Sequence, residues 1–146
     1  MSDSATPATF AKRVAAMFYD FLLFGSVLLV VGFISMLTLT SITGIENVAK
    51  GSLVAKLFFV YLLALGYLFF GWFWTHGGQT LGMRAWKLKV ISFDGQAINW
   101  KQAFIRYIYS IVSWIPLAAG YLWLLFDKNK LAFHDRMSKT AIVFKN

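Results

Sequence analysis

Two long apolar runs restrict what this chain can fold into. The first extends from Val14 to Leu39 with one acidic residue inside it, and the second extends from Leu53 to Thr75. About 20 consecutive apolar residues are enough for a helix to cross the hydrocarbon core of a bilayer. Both runs therefore predict transmembrane helices, over residues 14–39 and 53–75. The composition agrees, since 59% of the 146 residues are hydrophobic and 14% are charged.

The acidic residue in the first run is Asp20. A carboxylate inside such a helix costs roughly 2.5–3.5 kcal/mol on insertion scales, so it normally faces protein or water and has a partner. Arg13 shares its helical face but lies about 10.5 Å away along the axis, too far for direct contact in a straight helix. Arg13 itself is expected to reach for the lipid headgroups. Asp20 therefore needs a partner from elsewhere in the chain or from another chain, and its nearest cationic partner is predicted to be Arg13 or Arg106.

A third apolar segment, residues 101–126, is interrupted by Arg106 and by Pro116. Proline lacks a backbone donor and breaks the hydrogen-bond ladder of a helix. The pieces on either side of Pro116 are each short for a full span of about 20 residues. We expect this segment to form a re-entrant or interfacial hairpin rather than a single crossing.

The basic residues predict the orientation of the chain. Lys50 and Lys56 border the loop between the two spans, and the N-terminus, residues 77–102 and the C-terminal tail carry most of the others. The positive-inside rule places these three regions in the cytoplasm, and a hairpin lets the tail return there. The net charge of +8 does not indicate nucleic-acid binding, because the positive charges flank apolar spans.

Two short stretches read as β-strands. Residues 86–93 alternate polar and apolar side chains and are followed by the turn dipeptide Asp94-Gly95, and residues 140–144 form the second candidate. The two strands are predicted to pair on the cytoplasmic side, where each covers the open edge of the other.

The predicted fold is an all-α membrane protein. It has two transmembrane helices, a proline-broken third segment and a small cytoplasmic strand pair. Residues 1–9 are small and polar and are expected to be a disordered tail. Residues 10–146 then form a single membrane domain.

Several kinds of site are not expected. Residues 77–84 have the glycine spacing of a phosphate-binding loop but lack the Lys and Ser/Thr that grip phosphate and magnesium. The chain has no cysteine, and His76 and His134 are too few and too far apart in sequence for a metal site. His134 lies beside Asp135 and could act as a base, but no nucleophile accompanies it. We therefore expect no metal, no cofactor and no enzymatic activity.

The charged residues resemble those of the RDD family of bacterial membrane proteins, named for one arginine and two aspartates. In that family an arginine stands at the start of the first helix and an aspartate within it, which here are Arg13 and Asp20. A later arginine in the third apolar segment matches Arg106. The second aspartate belongs to a Leu-His-Asp element and matches Asp135, although here the leucine is displaced by two residues.

A further element strengthens the resemblance, which covers about residues 8–144. Gly-Gln-Thr-Leu-Gly followed by a basic residue and a strand matches residues 78–82 and Arg84. The resemblance implies a multi-pass protein of the bacterial inner membrane. The family has no generally established activity. Its members are usually described as candidate transporters of unknown ligands, and some are associated with cation/proton exchange.

The residues leave two interpretations of the charged set open. It is either a site for a cation, a proton or an anionic solute, or a structural ion-pair network that closes the cytoplasmic half of the bundle. Two spans and a hairpin cannot enclose a polar path, so transport would need an oligomer or a partner membrane protein. The alternative function is a non-catalytic scaffold or accessory subunit. The candidate site residues are Asp20, Arg13, Asp135 and Arg106, with His134, Gln79, Thr80 and Arg84 as contributors.

Overall fold

The computed structural model describes residues 6–44, 48–113 and 119–145. Two helices, α1 (Phe10–Thr43) and α2 (Leu53–Thr75), are long and apolar enough to cross a membrane. Almost none of the residues in their most apolar windows are buried within the protein. A soluble protein rarely exposes such large apolar patches, so this surface is typical of helices that face lipid. The two predicted spans are confirmed as long apolar helices.

Helix α1 continues beyond the apolar run at its C-terminal end. The hydroxyls of Thr40 and Ser41 donate to the carbonyl of Leu37, and that of Thr43 donates to Leu39. These hydrogen bonds satisfy the hydroxyl groups within the helix itself, so α1 can continue beyond Leu39, the last residue of the apolar run. It ends at Gly44, whose positive φ of 67° suits a glycine and whose N–H donates to Thr40.

Aromatic contacts join α1 and α2. The ring of Phe24 lies 5.1 Å from that of Phe69 and 5.0 Å from that of Phe70, measured between centroids. Farther along, the hydroxyls of Ser35 and Tyr61 are 3.0 Å apart. The two helices are antiparallel, because residues later in α1 contact residues earlier in α2.

The third apolar segment contains two helices, α4 (Trp100–Val112) and α5 (Ala119–Phe126). A capping box between Asn99 and Gln102 starts α4. The hydroxyl of Tyr107 donates to the carbonyl of Leu63 at 3.0 Å, so α4 runs back along α2. Pro116, the predicted break, lies outside the described residues.

Different contacts place the two ends of this segment. Trp100 packs against Gly71, where an added Cβ would come within 2.8 Å of the indole. Asp127, directly after α5, accepts a hydrogen bond from the N–H of Leu131, which packs with Ala141 in the core beneath the sheet. The side chain of Gln102 also donates to Ser92, which lies opposite Thr140, so both ends of the segment lie at the same end of the bundle. The hairpin itself stays a prediction.

Two strands form the sheet at this end, which we call the sheet end. They are β1 (Leu88–Ser92) and β2 (Thr140–Phe144), and they pair antiparallel with Val90 opposite Ile142. The predicted strand pair is confirmed. Each strand follows a five-residue helix, α3 (Leu81–Ala85) or α6 (Phe133–Met137).

Part of the predicted disordered tail is instead ordered against the sheet. Pro7 forms an antiparallel bridge to Val143, and the carbonyl of Thr6 accepts from the N–H of Phe144. Ala8 is buried and donates to the carbonyl of Ile142. The prediction of disorder was therefore wrong for these residues, because the free edge of β2 supplies backbone partners. Residues 1–5 lie outside the described residues.

Candidate functional site at the sheet end

Two arginines from different helices meet at the carboxylate of Asp135, which is fully buried near the start of α6. Oδ2 accepts from Nη1 of Arg13 at 2.6 Å, and Oδ1 accepts from Nη1 of Arg106 at 2.5 Å. The N–H of Ala132 donates to Oδ2 at 3.0 Å. Burial opposes ionisation, but the charges of Arg106 and Arg13 outweigh it and hold the pKa of Asp135 well below its usual range.

Arg13 also binds three backbone carbonyls. Its Nε donates to Ala8 at 3.2 Å, and its Nη2 donates to Lys130 at 2.9 Å and to Ile142 at 3.0 Å. The side chain of Arg13 is therefore buried, and all three of its nitrogens donate hydrogen bonds to protein acceptors. The expectation that Arg13 reaches for lipid headgroups was wrong, because the tail, the sheet and α6 offer it closer acceptors.

Arg106 completes the network from α4. Its Nη1 donates to Oγ1 of Thr140 at 2.7 Å, and its guanidinium carbon lies 5.3 Å from the ring centroid of Trp74. The ring face is negative and attracts the cation. Two buried guanidinium groups share one carboxylate here, which leaves one positive charge without an anion. Backbone carbonyls, the Thr140 hydroxyl and the Trp74 ring face stabilise that charge.

His134 lies beside this network. Its Nε2 is 3.5 Å from Oδ1 of Asp135. Burial lowers the pKa of His134 to about 3; Asp135 opposes this shift, and the two arginines add to it. The imidazole is therefore neutral at neutral pH, and it contributes no charge to the surplus.

Asp20 lies in a separate place, where α1 meets α3. Oδ2 accepts from the hydroxyl of Thr80 at 2.5 Å, and Oδ1 accepts from the N–H of Gly82 at 2.8 Å. Among the described residues no Lys or Arg nitrogen lies within 4.0 Å of this carboxylate. The predicted pairing of Asp20 with Arg13 or Arg106 was wrong, since both arginines bind Asp135 and neutral donors of α3 hold Asp20.

The family model of the RDD family matches residues 7–139. This chain belongs to the RDD family. The resemblance based on its arginines and aspartates is thereby confirmed. The comparisons with curated proteins and with solved structures gave no match. Family membership and two exposed apolar helices together point to a membrane protein.

The Gly-Gln-Thr-Leu-Gly element of this RDD protein serves both the site and the sheet. Thr80 caps α3 by accepting from the N–H of Met83 while it donates to Asp20. The side chain of Gln79 is buried and donates to the carbonyl of Leu88 at 2.6 Å. Gln79 therefore anchors β1 and does not contact either aspartate.

Arg84, the remaining predicted contributor, is exposed and lies apart from both aspartates. Its guanidinium carbon is 6.0 Å from the ring centroid of Phe73, near the end of α2. Among the described residues it forms no ion pair. No group of three or more potential metal ligands occurs in the part of the chain that the structure describes.

Sequence reasoning missed several participants in the RDD network. Thr140 and Trp74 contact Arg106, and the carbonyls of Ala8 and Lys130 bind Arg13. Backbone acceptors and a single threonine leave no distinctive pattern in a sequence. The Asp127–Arg136 ion pair was also missed, although two opposite charges flanking a short turn and helix could have indicated it.

Proposed function

We propose that this RDD protein moves a small cation or a proton across the bacterial inner membrane, with Asp20 as the carboxylate that takes up the ion. The contrast between the two family aspartates carries the proposal. Asp135 is matched by two arginines, whereas Asp20 is held by a hydroxyl and a backbone N–H. Neutral donors orient a carboxylate without cancelling its charge, so Asp20 keeps the capacity to bind a proton or cation.

The proposed orientation places the sheet end in the cytoplasm. Apart from Lys50 and Lys56, the basic residues belong to the segments that gather at the sheet end and its third apolar segment. This distribution supports cytoplasmic termini through the positive-inside rule. Asp20, two turns of α1 beyond Arg13, then faces the cytoplasmic half of the bilayer.

The proposed transporter works as an oligomer or with a partner membrane protein. Lipid-exposed polar routes are not tolerated in hydrocarbon, and two helices cannot surround one. Large side chains along the outer half of α1 are exposed, among them Leu29 at 76% and Phe33 at 65%. This surface is available for further helices, and native mass spectrometry in a mild detergent measures the number of subunits.

Ion flux into proteoliposomes tests the proposal directly. Sodium, lithium or potassium gradients should drive proton movement through the wild type, and Asp20→Asn should abolish it. The asparagine oxygen can still accept from Gly82, so this variant should fold. Asp94→Asn, which changes an exposed carboxylate in the β1 turn, is the matched control and should keep the flux. Absence of flux from folded wild type rejects the exchange reaction, and flux that survives in Asp20→Asn removes Asp20 from the mechanism.

The second candidate function is a non-catalytic scaffold or accessory subunit. The observation that favours it is the closed network of Arg13, Asp135 and Arg106, which ties α1, α4 and α6 together through buried charges. Such a network stabilises one arrangement of helices without needing a ligand. Co-expression with the products of neighbouring genes, followed by native mass spectrometry, distinguishes a stable hetero-complex from a homo-oligomer.

A further inference from the structure

Residues 78–92 and 130–144 repeat the same succession of backbone conformations. Each begins with a left-handed residue, Gly78 with φ of 68° or Lys130 with φ of 54°. An extended cap residue, a five-residue helix, a left-handed lysine and a five-residue strand follow in both. The two lysines, Lys87 and Lys139, share a φ of 53°. We call these segments unit one and unit two.

A two-fold axis through the sheet relates the two units. Val90 and Ile142 occupy the same place in their units and face each other at the centre of the register. Two bonds close the sheet symmetrically, from the N–H of Lys145 to Lys87 at 2.8 Å and from the N–H of Phe93 to Lys139 at 3.0 Å. Arg84 and Arg136 are each the fourth residue of their five-residue helix, α3 or α6, and are therefore equivalent.

The two equivalent arginines differ in their partners. Arg136 binds the carboxylate of Asp127, the first residue after α5. The residue 52 positions before Asp127 is Thr75, the last residue of α2, which carries no charge. Arg84 therefore lacks the anion that its counterpart holds, among the residues that the structure describes.

Further cations surround the same loop. Nζ of Lys145 donates to Oε1 of Gln79 at 3.2 Å, and the methylenes of Lys89 lie against Gly78. Nη2 of Arg84 lies 4.0 Å from where a Cβ at Gly77 would be. Three cationic side chains thus border residues 77–79, and no carboxylate of the described residues pairs with any of them.

We propose that Arg84, Lys89 and Lys145 bind the phosphate group of an anionic membrane lipid, which pairs with Arg84 as Asp127 pairs with Arg136. Arginine forms paired hydrogen bonds with phosphate as it does with carboxylate. Trp72 is 56% exposed one turn before the end of α2, and tryptophans at helix ends mark the headgroup level. A lipid phosphate at the headgroup level can therefore contact these three cations while the lipid stays in its leaflet.

Native mass spectrometry of the full chain in a mild detergent tests the site. Titration with phosphatidylglycerol should give tighter binding than titration with phosphatidylcholine, whose headgroup has no net charge. Arg84→Gln should weaken phosphatidylglycerol binding by about fivefold. Arg136→Gln removes the same charge from unit two, where Asp127 already occupies the position, and should leave the affinity unchanged.

Other outcomes overturn the proposal. Equal affinity for the two lipids, or equal losses in Arg84→Gln and Arg136→Gln, would mean that no specific headgroup site exists. Competition with inorganic phosphate tests whether the site binds a free anion instead of a lipid. If it displaces phosphatidylglycerol at low millimolar concentration and itself binds in an Arg84-dependent manner, the natural ligand is the free anion and not the lipid.

Discussion

Gly82 packs against the backbone of Ala16 so closely that a Cβ would lie 2.2 Å from the Ala16 carbonyl oxygen. The same Cβ would lie 2.9 Å from the carboxylate carbon of Asp20. Only glycine therefore lets α3 reach α1 and present its N–H to Asp20. The family motif needs a glycine at this position for contact rather than for backbone flexibility.

This contact predicts that Gly82→Ala destabilises the protein. Overpacking costs about 1–3 kcal/mol, and the hydrogen bond to Asp20 is strained as well. Gly25→Ala is the matched control, because nothing lies within 4 Å of the added Cβ and alanine is the better helix former. Thermal unfolding in detergent should show a lower midpoint for Gly82→Ala and an unchanged or higher one for Gly25→Ala. Equal midpoints would contradict the close packing.

Loss of Asp135 should be far more damaging than loss of Asp127. Asp135→Asn leaves two buried guanidinium groups without their carboxylate, which costs about 3–5 kcal/mol. Asp127→Asn breaks a pair whose carboxylate is 4% exposed but whose arginine side chain is 48% exposed and can turn to solvent, and the asparagine oxygen can still accept from Leu131, so the loss should be smaller. The yield of folded protein after extraction, measured by size-exclusion chromatography, compares the two. Similar yields would show that the buried network is dispensable.

The low pKa of His134 predicts how stability depends on pH. The unfolded chain protonates this histidine near pH 6.5, whereas the folded protein does so near pH 3. The unfolded state therefore binds more protons between these values, and stability falls as the pH is lowered through this window, by up to about 1.4 kcal/mol per unit. Asp135, with its lowered pKa, adds loss of the same sign at still lower pH.

His134→Gln should flatten this dependence between pH 6.5 and 4. His76→Gln serves as the control because His76 is exposed, and it should keep the wild-type slope. The measurement is the unfolding midpoint of the wild type and of both variants across this pH range. An unchanged slope in His134→Gln would assign the pH dependence to other groups.

Single cysteines test the return of the chain to the sheet end, and the sequence contains no native cysteine. Cysteines that replace Lys87, Lys128 and Lys145 should react with a membrane-impermeant reagent from one side of the membrane. A cysteine that replaces Lys50 should react from the other. Labelling of the Lys128 or Lys145 position together with the Lys50 position would mean that residues 100–126 cross the membrane once.

The spans and strands were predictable because each leaves a local pattern. Long apolar runs identify α1 and α2, and alternation before Asp94-Gly95 identifies β1. The pairing of Pro7 with Val143 was not predictable, because a short polar segment binds an edge strand through its backbone and needs no particular side chains.

The partners of the charged residues were only partly predictable. The cost of a carboxylate in hydrocarbon correctly indicates that Asp20 needs donors, and the resemblance marks Thr80 and Gly82 as members of one motif. Charge attraction suggested an arginine, yet a hydroxyl and a backbone N–H hold Asp20. Sequence alone cannot rank neutral donors against charges, because their distances depend on how α3 packs on α1.

The bond between Arg13 and Asp135 joins residues 122 positions apart. During synthesis α1 is made long before α6, so Arg13 has no carboxylate partner until residue 135 has been added. A chain interrupted before residue 135 would retain two membrane-sized helices but leave both arginines uncompensated. The buried network of Arg13, Asp135 and Arg106 can therefore close only after residue 135 has been synthesised.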